Sequence, residues 1–352
     1  MTALRVDGVQ LPEGHDATWW VDGGVLHDRP VDGAERLPGR FVLPGLVDAH
    51  CHLTLSPGDT GPVPTPADGV GRRLLALRGA GVLAVRDTGA HDDTAVRLAV
   101  GGDGEVQVVA CGRFLSSRGH YFPGVYEPTD PDRLADAALA EVAAGARWVK
   151  LVADFPRNLT ELPPEPTYDV DVIAAMVEAV HAAGARVAAH VTTGLVRDLV
   201  RIGIDSVEHG TALDEATLRD MAARGTAWTP TLSAVLAPPP PDAPPDRIER
   251  QARREVVMRE LLPRATALGV RVLAGSDVVG TVPGEVARLA TYGLEPAEAL
   301  RAATTAAREF LGFAALIAGA PADLVTYDAD PRDDPDVLSR PAAVVARGVR
   351  VR

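Results

Sequence analysis

The sequence predicts an α/β protein in which parallel strands alternate with helices, flanked by β-rich segments at both ends. Eight strand-like apolar runs occur in the central part of the chain, and helix-like stretches separate them. The runs are continuously apolar rather than alternating, which is typical of a parallel sheet buried on both faces. Eight such units predict a (β/α)8 TIM barrel over residues 44–317.

Both ends of the 352-residue chain consist of short strand-like segments and turns. Near the N-terminus, ATWWVDGGVLHDRPV contains β-forming segments broken by Gly-Gly and Asp-Gly turn signals. Near the C-terminus, PADLVTYDAD and AAVVARGVRV have the same character. We therefore expect residues 1–43 and 318–352 to meet as one small, discontinuous β-sandwich domain.

The predicted barrel strands are, in chain order, GLVDAHCH, VLAVRDTG, VQVVACG, RWVKLVAD, RVAAHVT, DSVEHGT, TAWTPTL and VRVLAGSD. The helices between them include PDRLADAALAEVAAGA, VIAAMVEAVHAAGA, ATLRDMAARG and PGEVARLATYG, several of which carry the glycine expected after a helix. The proline-rich stretch 236–247 predicts a loop, because proline cannot supply a ladder hydrogen bond. It is either a stiff surface linker or a wall over the barrel mouth.

The bulk composition restricts the classes of partner. A formal charge of −13 excludes nucleic acid and an anionic membrane surface, so we expect a small-molecule or dipeptide-like substrate. Two cysteines cannot form a disulfide framework, no signal peptide is visible, and no run reaches the roughly 18 apolar residues that cross a bilayer. These features predict a cytoplasmic protein and leave a homo-oligomer open.

The strongest local signal for a metal is Asp48-Ala49-His50-Cys51-His52, which closes the first predicted barrel strand. Side chains alternate along a strand, so His50 and His52 point the same way and Cys51 points oppositely. Two imidazoles about 6–7 Å apart can hold one metal ion. The competing interpretation of such an isolated pair is two polar residues at a strand end.

Three further candidate ligands end predicted strands, where the active sites of such barrels assemble. His190 ends ARVAAH, His209 ends DSVEH, and Asp277 ends VLAGSD. Either histidine alone could be a hydrogen-bonded core residue, and Asp277 could be a helix N-cap. Together with the first pair they favour a metal site, in which Asp277 can also accept a proton.

Lys150 is the most diagnostic residue, because it is the only lysine of the chain and lies within the apolar run WVKLV. An unpaired ammonium is costly in such a strand, and burial lowers its pKa. Arginine, which this chain uses everywhere else, would serve a salt bridge as well. The lysine therefore indicates chemistry of a primary amine, either a Schiff base or a carbamate formed with carbon dioxide.

PGLVDAHCHL, WVKL, AAHV, VEHGT and AGSD, in this order, resemble the amidohydrolase superfamily in its binuclear form with a carboxylated lysine. The segments VLAVRDTG, RGH, AVHAAGARVAAHVTTG, WTPTL, PAEALRAATTAAREFLG and AGAPADLVTYDADP resemble the imidazolonepropionase-related branch that includes Xaa-Pro dipeptidases. The resemblance covers nearly the whole chain.

The resemblance implies two divalent metal ions, usually zinc, bridged by carboxylated Lys150. His50 and His52 would hold the first ion with Asp277, and His190 and His209 the second. Hydroxide shared by the metals would attack the amide, and Asp277 would carry the proton to the departing amine.

Substrate contacts are expected from the RGHY segment at 118–121 and from Trp228. The resemblance makes His120 the candidate catalytic contact to the substrate carbonyl, with Tyr121 beside it; a solvent-exposed loop histidine is the alternative. Trp228 stands where the dipeptidase pattern has tyrosine, which would remove a hydroxyl and enlarge an apolar wall. The resemblance makes a dipeptide or N-acyl amino acid the leading substrate, while the tryptophan favours a bulkier or more hydrophobic one. A lactone, carbamate or phosphoester, or a non-catalytic scaffold role, are the alternatives.

Overall fold

A computed structural model describes residues 2–66, 68–102, 104–159, 162–239 and 243–352. The N-terminal segment consists of short strands joined by turns: β1 (Leu4–Gln10), β2 (His15–Asp22), β3 (Val25–His27), β4 (Glu35–Arg36) and β5 (Phe41–Pro44).

The central segment alternates strands and helices. Its first half contains β6 (Leu46–Cys51), β7 (Leu55–Gly58), β8 (Gly61–Pro64), α1 (Gly69–Gly79), β9 (Val82–Asp87), α2 (Thr94–Gly101), β10 (Gln107–Ala110), β11 (Phe114–Leu115), α3 (Leu134–Ala143), β12 (Trp148–Val152), β13 (Asp154–Phe155) and β14 (Glu165–Pro166). Its second half contains α4 (Val170–Ala182), β15 (Arg186–Val191), α5 (Val196–Ile202), β16 (Ser206–His209), α6 (Glu215–Arg224), β17 (Ala227–Thr229), α7 (Leu232–Val235), α8 (Pro245–Ala267), α9 (Val282–Thr291), α10 (Pro296–Ala302) and α11 (Thr305–Leu311).

Strands from both ends of the chain share one eight-stranded sheet. The last strands are β18 (Leu324–Tyr327), β19 (Ala343–Ala346) and β20 (Val349–Arg350), and the sheet order is β20-β19-β18-β5-β1-β2-β3, with β4 paired to β1. The two ends meet where β18 pairs antiparallel with β5, with Thr326 opposite Val42. Apolar side chains from both ends, including Val6 and Val345, pack in one buried cluster.

Seven of the eight predicted barrel strands are present, in two parallel sheets of order β10-β9-β6 and β11-β12-β15-β16-β17. The eighth, residues 270–277, forms only single bridges, from Val272 to Trp228 of β17 and from Asp277 to Cys51 of β6. The reason is that the N–H of Ala274 donates to the carbonyl of Ala302, outside either ladder. The segment nevertheless lies between β17 and β6, because it is hydrogen-bonded to both.

Alternation along the parallel strands decides which side chains reach the candidate site. In β12, Val149 and Leu151 belong to the main apolar cluster, which also contains Ile173 and Met176 of helix α4. Lys150, between the two, points to the opposite face. The helices therefore cover one face of the strands, and the opposite face carries Lys150 as well as a smaller apolar cluster that includes Trp148.

The predicted helices are present as α3, α4, α6 and α9. The proline-rich stretch 236–247 ends differently from the expectation, because α8 already begins at Pro245. Proline fits the first turn of a helix, where its missing N–H has no helical partner. Residues 240–242 of this predicted loop lie outside the described residues. No helix in the described part of the chain is long and apolar enough to cross a membrane.

We expect Gly275→Ala to lower the free energy of unfolding by about 1–3 kcal/mol, because a new methyl group would overpack the segment between β17 and β6. A Cβ at this position would lie 2.5 Å from Cβ of His50 and 2.6 Å from Cγ2 of Thr229. Urea unfolding measures the change. Gly71→Ala in α1 is the control: no atom of the described residues lies within 4 Å of its Cβ, so this variant should be as stable as the parent or more stable. Equal stability of the two variants would contradict the close packing.

Candidate metal centre

The structure brings the imidazoles of four histidines and one carboxylate together at the ends of the parallel strands. Ligand atoms of His50, His209 and Asp277 all lie within 4.8 Å of one another. The ring centroids of His50 and His52 are 5.2 Å apart, and those of His190 and His209 are 4.5 Å apart. Asp277 Oδ1 lies 3.5 Å from Nε2 of His52. His50, His209 and Asp277 can therefore act on a common ligand, and the rings of His52 and His190 lie beside them.

Three of the histidines are oriented by a hydrogen bond at Nδ1. The partners are a carboxylate, a backbone carbonyl and a hydroxyl: Glu208 Oε2 at 2.6 Å from His50, Gly89 O at 2.8 Å from His52, and Thr231 Oγ1 at 2.6 Å from His209. The carboxylate and the backbone carbonyl can only accept, so they fix the tautomers of His50 and His52 and leave Nε2 as the lone-pair donor, while the hydroxyl orients the ring of His209. Metal-binding histidines characteristically have such partners.

Burial keeps the candidate ligands in the protonation states that a metal requires. It lowers the pKa of His50 to about 4 and that of His190 to about 4. Burial, together with the neighbouring His190, holds the pKa of His209 well below its ordinary value. These three imidazoles are therefore neutral at pH 7, and neutral imidazole is the form that binds metal.

Lys150 is buried beside these rings, with 1% of its surface exposed. Among the described residues, no atom accepts a hydrogen bond from its Nζ. Burial lowers the pKa of the amine, which favours the neutral form that reacts with carbon dioxide. A salt bridge, the simpler explanation of this lysine, is not formed with any described carboxylate. The amine is therefore free to bind a group from outside the chain, such as carbon dioxide.

Two of the candidate ligands have left-handed backbone conformations. The φ angle is 67° at His209 and 55° at Asp277, and it is 45° at Thr231, the partner of His209. Such angles are unfavourable for residues other than glycine and persist where surrounding contacts enforce them. Asp277 is not a helix N-cap, because Thr281 caps α9. Both observations favour a functional role for these side chains.

Sequence reasoning missed the buried ion pair behind His50. Arg86 donates to Glu208 over 2.8 Å and to the carbonyl of Ala49 over 2.7 Å, and its guanidinium lies over the Trp148 ring, 4.7 Å from the centroid. Both charged side chains are fully buried. Charged residues inside apolar runs, as in VLAVRD and DSVEH, were the available signal. The pair positions His50 through the carboxylate of Glu208.

Glu285 of α9, which the sequence analysis also missed, helps to position His209. Its carboxylate accepts from the N–H groups of Leu232, at 2.9 Å, and Ser233, at 2.7 Å. These groups begin α7, directly after Thr231. The acid therefore fixes the backbone turn from which Thr231 reaches His209. Burial raises the pKa of Glu285 to about 7.

His120 is buried rather than solvent-exposed, with 4% of its surface accessible. Its Nδ1 lies 2.9 Å from Oγ of Ser117, while Nε2 forms no hydrogen bond with any described atom and lies 3.8 Å from Oε2 of Glu165. Tyr121 is nearly buried, and its ring centroid lies 6.4 Å from that of His190. The RGHY segment thus lies beside the candidate ligands.

The expectation for Trp228 requires correction. The indole is fully buried in the main apolar cluster, so it offers no exposed face to a substrate. Its Nε1 donates to the backbone carbonyl of His209 over 2.9 Å. The ring lies beneath the site rather than in its wall, and it supports the left-handed backbone of His209.

Comparisons with known proteins agree with the geometry. The sequence pattern of the Amidohydrolase family matches residues 41–351. Uncharacterized proteins of Mycobacterium tuberculosis and Mycobacterium bovis are 36% identical over 361 residues, which cover 98% of this chain and 95% of theirs.

Solved structures of similar fold span essentially the same length. A prolidase complexed with N-methylphosphonate-L-proline is 26% identical with a TM-score of 0.81, and the match covers 100% of both chains. A putative prolidase from Bifidobacterium longum is 24% identical with a TM-score of 0.83, covering 99% of this chain and 94% of that one. A Xaa-Pro dipeptidase with bound methionine is 19% identical with a TM-score of 0.82 and full coverage of both chains. These comparisons confirm the resemblance.

We expect Glu285→Gln to change how stability depends on pH. The native state keeps the Glu285 proton up to a pKa of about 7, while the unfolded chain releases it near 4.5. Between these values the native state binds more protons, so this residue's contribution to stability falls as pH rises. Urea unfolding should therefore show the parent losing stability relative to Glu285→Gln between pH 5 and 7, and no further change above. A difference that is independent of pH would contradict the raised pKa.

Proposed function

Because the chain belongs to the amidohydrolase family and is a hydrolase of amide-type bonds, we propose that it cleaves a peptide-like amide at two zinc ions. The proposed ligands are His50, His52, Lys150, His190, His209 and Asp277. The observation that carries the proposal is the buried amine of Lys150, which has no described hydrogen-bond partner and lies among neutral imidazoles.

The donor set divides into two groups, as the family resemblance implies. His50 and His52 would bind one ion together with Asp277, while His190 and His209 would bind the other. Lys150, carboxylated by carbon dioxide, would offer one oxygen to each. When bound, the ions would act as Lewis acids on the scissile carbonyl and lower the pKa of water.

The chain's own residues would complete the reaction. The Asp277 carboxylate is held in place by the Val278 N–H, which donates to its Oδ1 over 2.8 Å. Burial tends to raise the pKa of Asp277, but the contacts with His52 and His50 lower it well below the ordinary value. The group is therefore an ionised carboxylate, which is the form that can accept a proton and pass it to the leaving amine. His120 can donate from Nε2 to the substrate carbonyl, since Nδ1 has Ser117 as its partner.

The similarity to prolidases and Xaa-Pro dipeptidases makes dipeptides and N-acyl amino acids the leading substrates. We infer further that the two parallel sheets and segment 270–277 form one (β/α)8 barrel over residues 44–317. Residues 1–43 and 318–352 would then form a second, smaller domain around the sheet that both ends share.

We expect Lys150→Ala to lose at least one of two bound zinc ions, and to lose hydrolysis of dipeptides and N-acyl amino acids by at least about 100-fold. Loss of a bridging ligand should exceed the 10–100-fold typical of the groups behind a ligand. Lys150→Arg should fail equally, because guanidinium remains protonated and cannot form a carbamate. Metal analysis after expression with zinc and bicarbonate, followed by hydrolysis assays, gives both readouts.

Arg147→Lys, at an exposed position three residues earlier, is the control and should keep both ions. Fewer than about 0.5 equivalents of zinc in the parent protein would contradict the metal site. Full activity of Lys150→Arg would contradict the carbamate.

A further inference from the structure

The cleft above the candidate metal centre has two walls of different chemistry. It has a volume of 1110 Å³, and His190 and His209 are among its lining residues. Pockets for drug-sized ligands usually measure roughly 300–1,000 Å³. The cleft is therefore larger than a dipeptide requires, and its walls indicate what fills the remaining space.

One wall is apolar and begins at the candidate ligands themselves. The ring of Phe155 lies 5.6 Å from that of His190, and the ring of Phe122 lies 5.1 Å from Phe155. The wall continues with Leu162 and its neighbouring prolines, and Leu162 is 56% exposed. Such a surface gains free energy when an alkyl or aromatic group covers it.

The other wall is cationic and belongs to α8. Arg247, Arg250 and Arg254 are spaced by three and four residues, so they lie on one face of the helix, and all three line the cleft. Arg250 pairs with Asp246. The pKa of Arg254 is lowered by burial and by the like charges of Arg250 and Arg247. In a protein of net charge −13, three neighbouring arginines on a pocket wall favour an anionic ligand.

We propose that the substrate is an amphiphilic anion, an N-acyl amino acid with a long apolar acyl group. The carboxylate would bind the α8 arginines, whose planar guanidinium groups match a carboxylate in two hydrogen bonds. The acyl chain would cover the wall of Phe155, Phe122 and Leu162. The scissile amide would then lie between the two walls, over His190 and His209.

This inference rests on the proposed function for the bond that is cleaved. Hydrolysis adds one water across the acyl carbon–nitrogen bond: the hydroxyl joins the carbonyl carbon, and the nitrogen takes the proton. The products are a long-chain carboxylate and a free amino acid. Recognition can be measured separately from this step with a ligand that has no amide carbonyl.

The probe is N-decylsulfonyl-L-alanine. Calorimetry measures how tightly the purified metal-loaded protein binds this acid and its neutral C-terminal carboxamide. The acid should bind about tenfold more tightly than the carboxamide, as expected for hydrogen bonds to a charged partner. Arg254→Gln should reduce this preference to less than threefold. Arg253→Gln is the matched control, because Arg253 is 82% exposed, lies near Glu249 and is absent from the cleft lining.

The apolar wall is tested by shortening the chain of the probe. N-Methylsulfonyl-L-alanine should bind at least about 100-fold more weakly, since each buried methylene contributes up to about fourfold. Leu162→Ser should weaken binding of the decyl probe and leave the methyl probe unchanged. Leu75→Ser on α1 is the control: Leu75 is also 56% exposed but lies outside the cleft, so both probes should bind as in the parent.

Equal binding of acid and carboxamide by the parent protein, or an equal effect of Arg253→Gln and Arg254→Gln, would overturn the proposed carboxylate recognition. Independence from chain length would overturn the acyl site. Hydrolysis of N-decanoyl-L-alanine is measured in parallel. Tight, carboxylate-dependent binding without turnover would support this inference and contradict the proposed amide hydrolysis.

Discussion

The burial of one amine is the constraint on which the candidate centre depends. Lys150 lies on the inner face of β12, and a charged ammonium without a partner would cost several kcal/mol there. The fold tolerates the residue because burial favours the neutral amine, and a neutral amine can become a carbamate that carries the negative charge two metal ions require. The four histidines and Asp277 around it would supply the remaining donors.

The rest of the structure holds these donors in place from behind. Arg86 and Glu208 fix His50 through a fully buried ion pair, and Glu285 fixes the turn from which Thr231 reaches His209. Each arrangement ends at a ring nitrogen and fixes the position of the ring, and the Glu208 carboxylate also determines the tautomer of His50, because a carboxylate can only accept. A site assembled from the ends of different strands gains its precision from such contacts, since no single strand carries more than two of the ligands.

The sequence predicted what local patterns can encode. A histidine pair in strand register, polar residues after apolar runs and a lone lysine in an apolar strand are all visible within a few residues, and seven of the eight predicted barrel strands are present. Contacts between distant segments were not visible. The eighth strand is interrupted because Ala274 bonds to Ala302, and Glu285 acts on residues more than fifty positions earlier. The burial of Trp228 was equally invisible in the sequence, because it depends on the contact of the indole with the backbone carbonyl of His209.

The central claim is that the only lysine of the chain carries a carboxylate group that bridges two metals. Carbon-13 NMR of the zinc-loaded protein equilibrated with labelled bicarbonate tests it most directly. The account predicts one protein-bound carbamate signal that is present with two zinc ions and absent from Lys150→Arg. Two bound zinc ions without a carbamate signal, or an unchanged signal in Lys150→Arg, would contradict it.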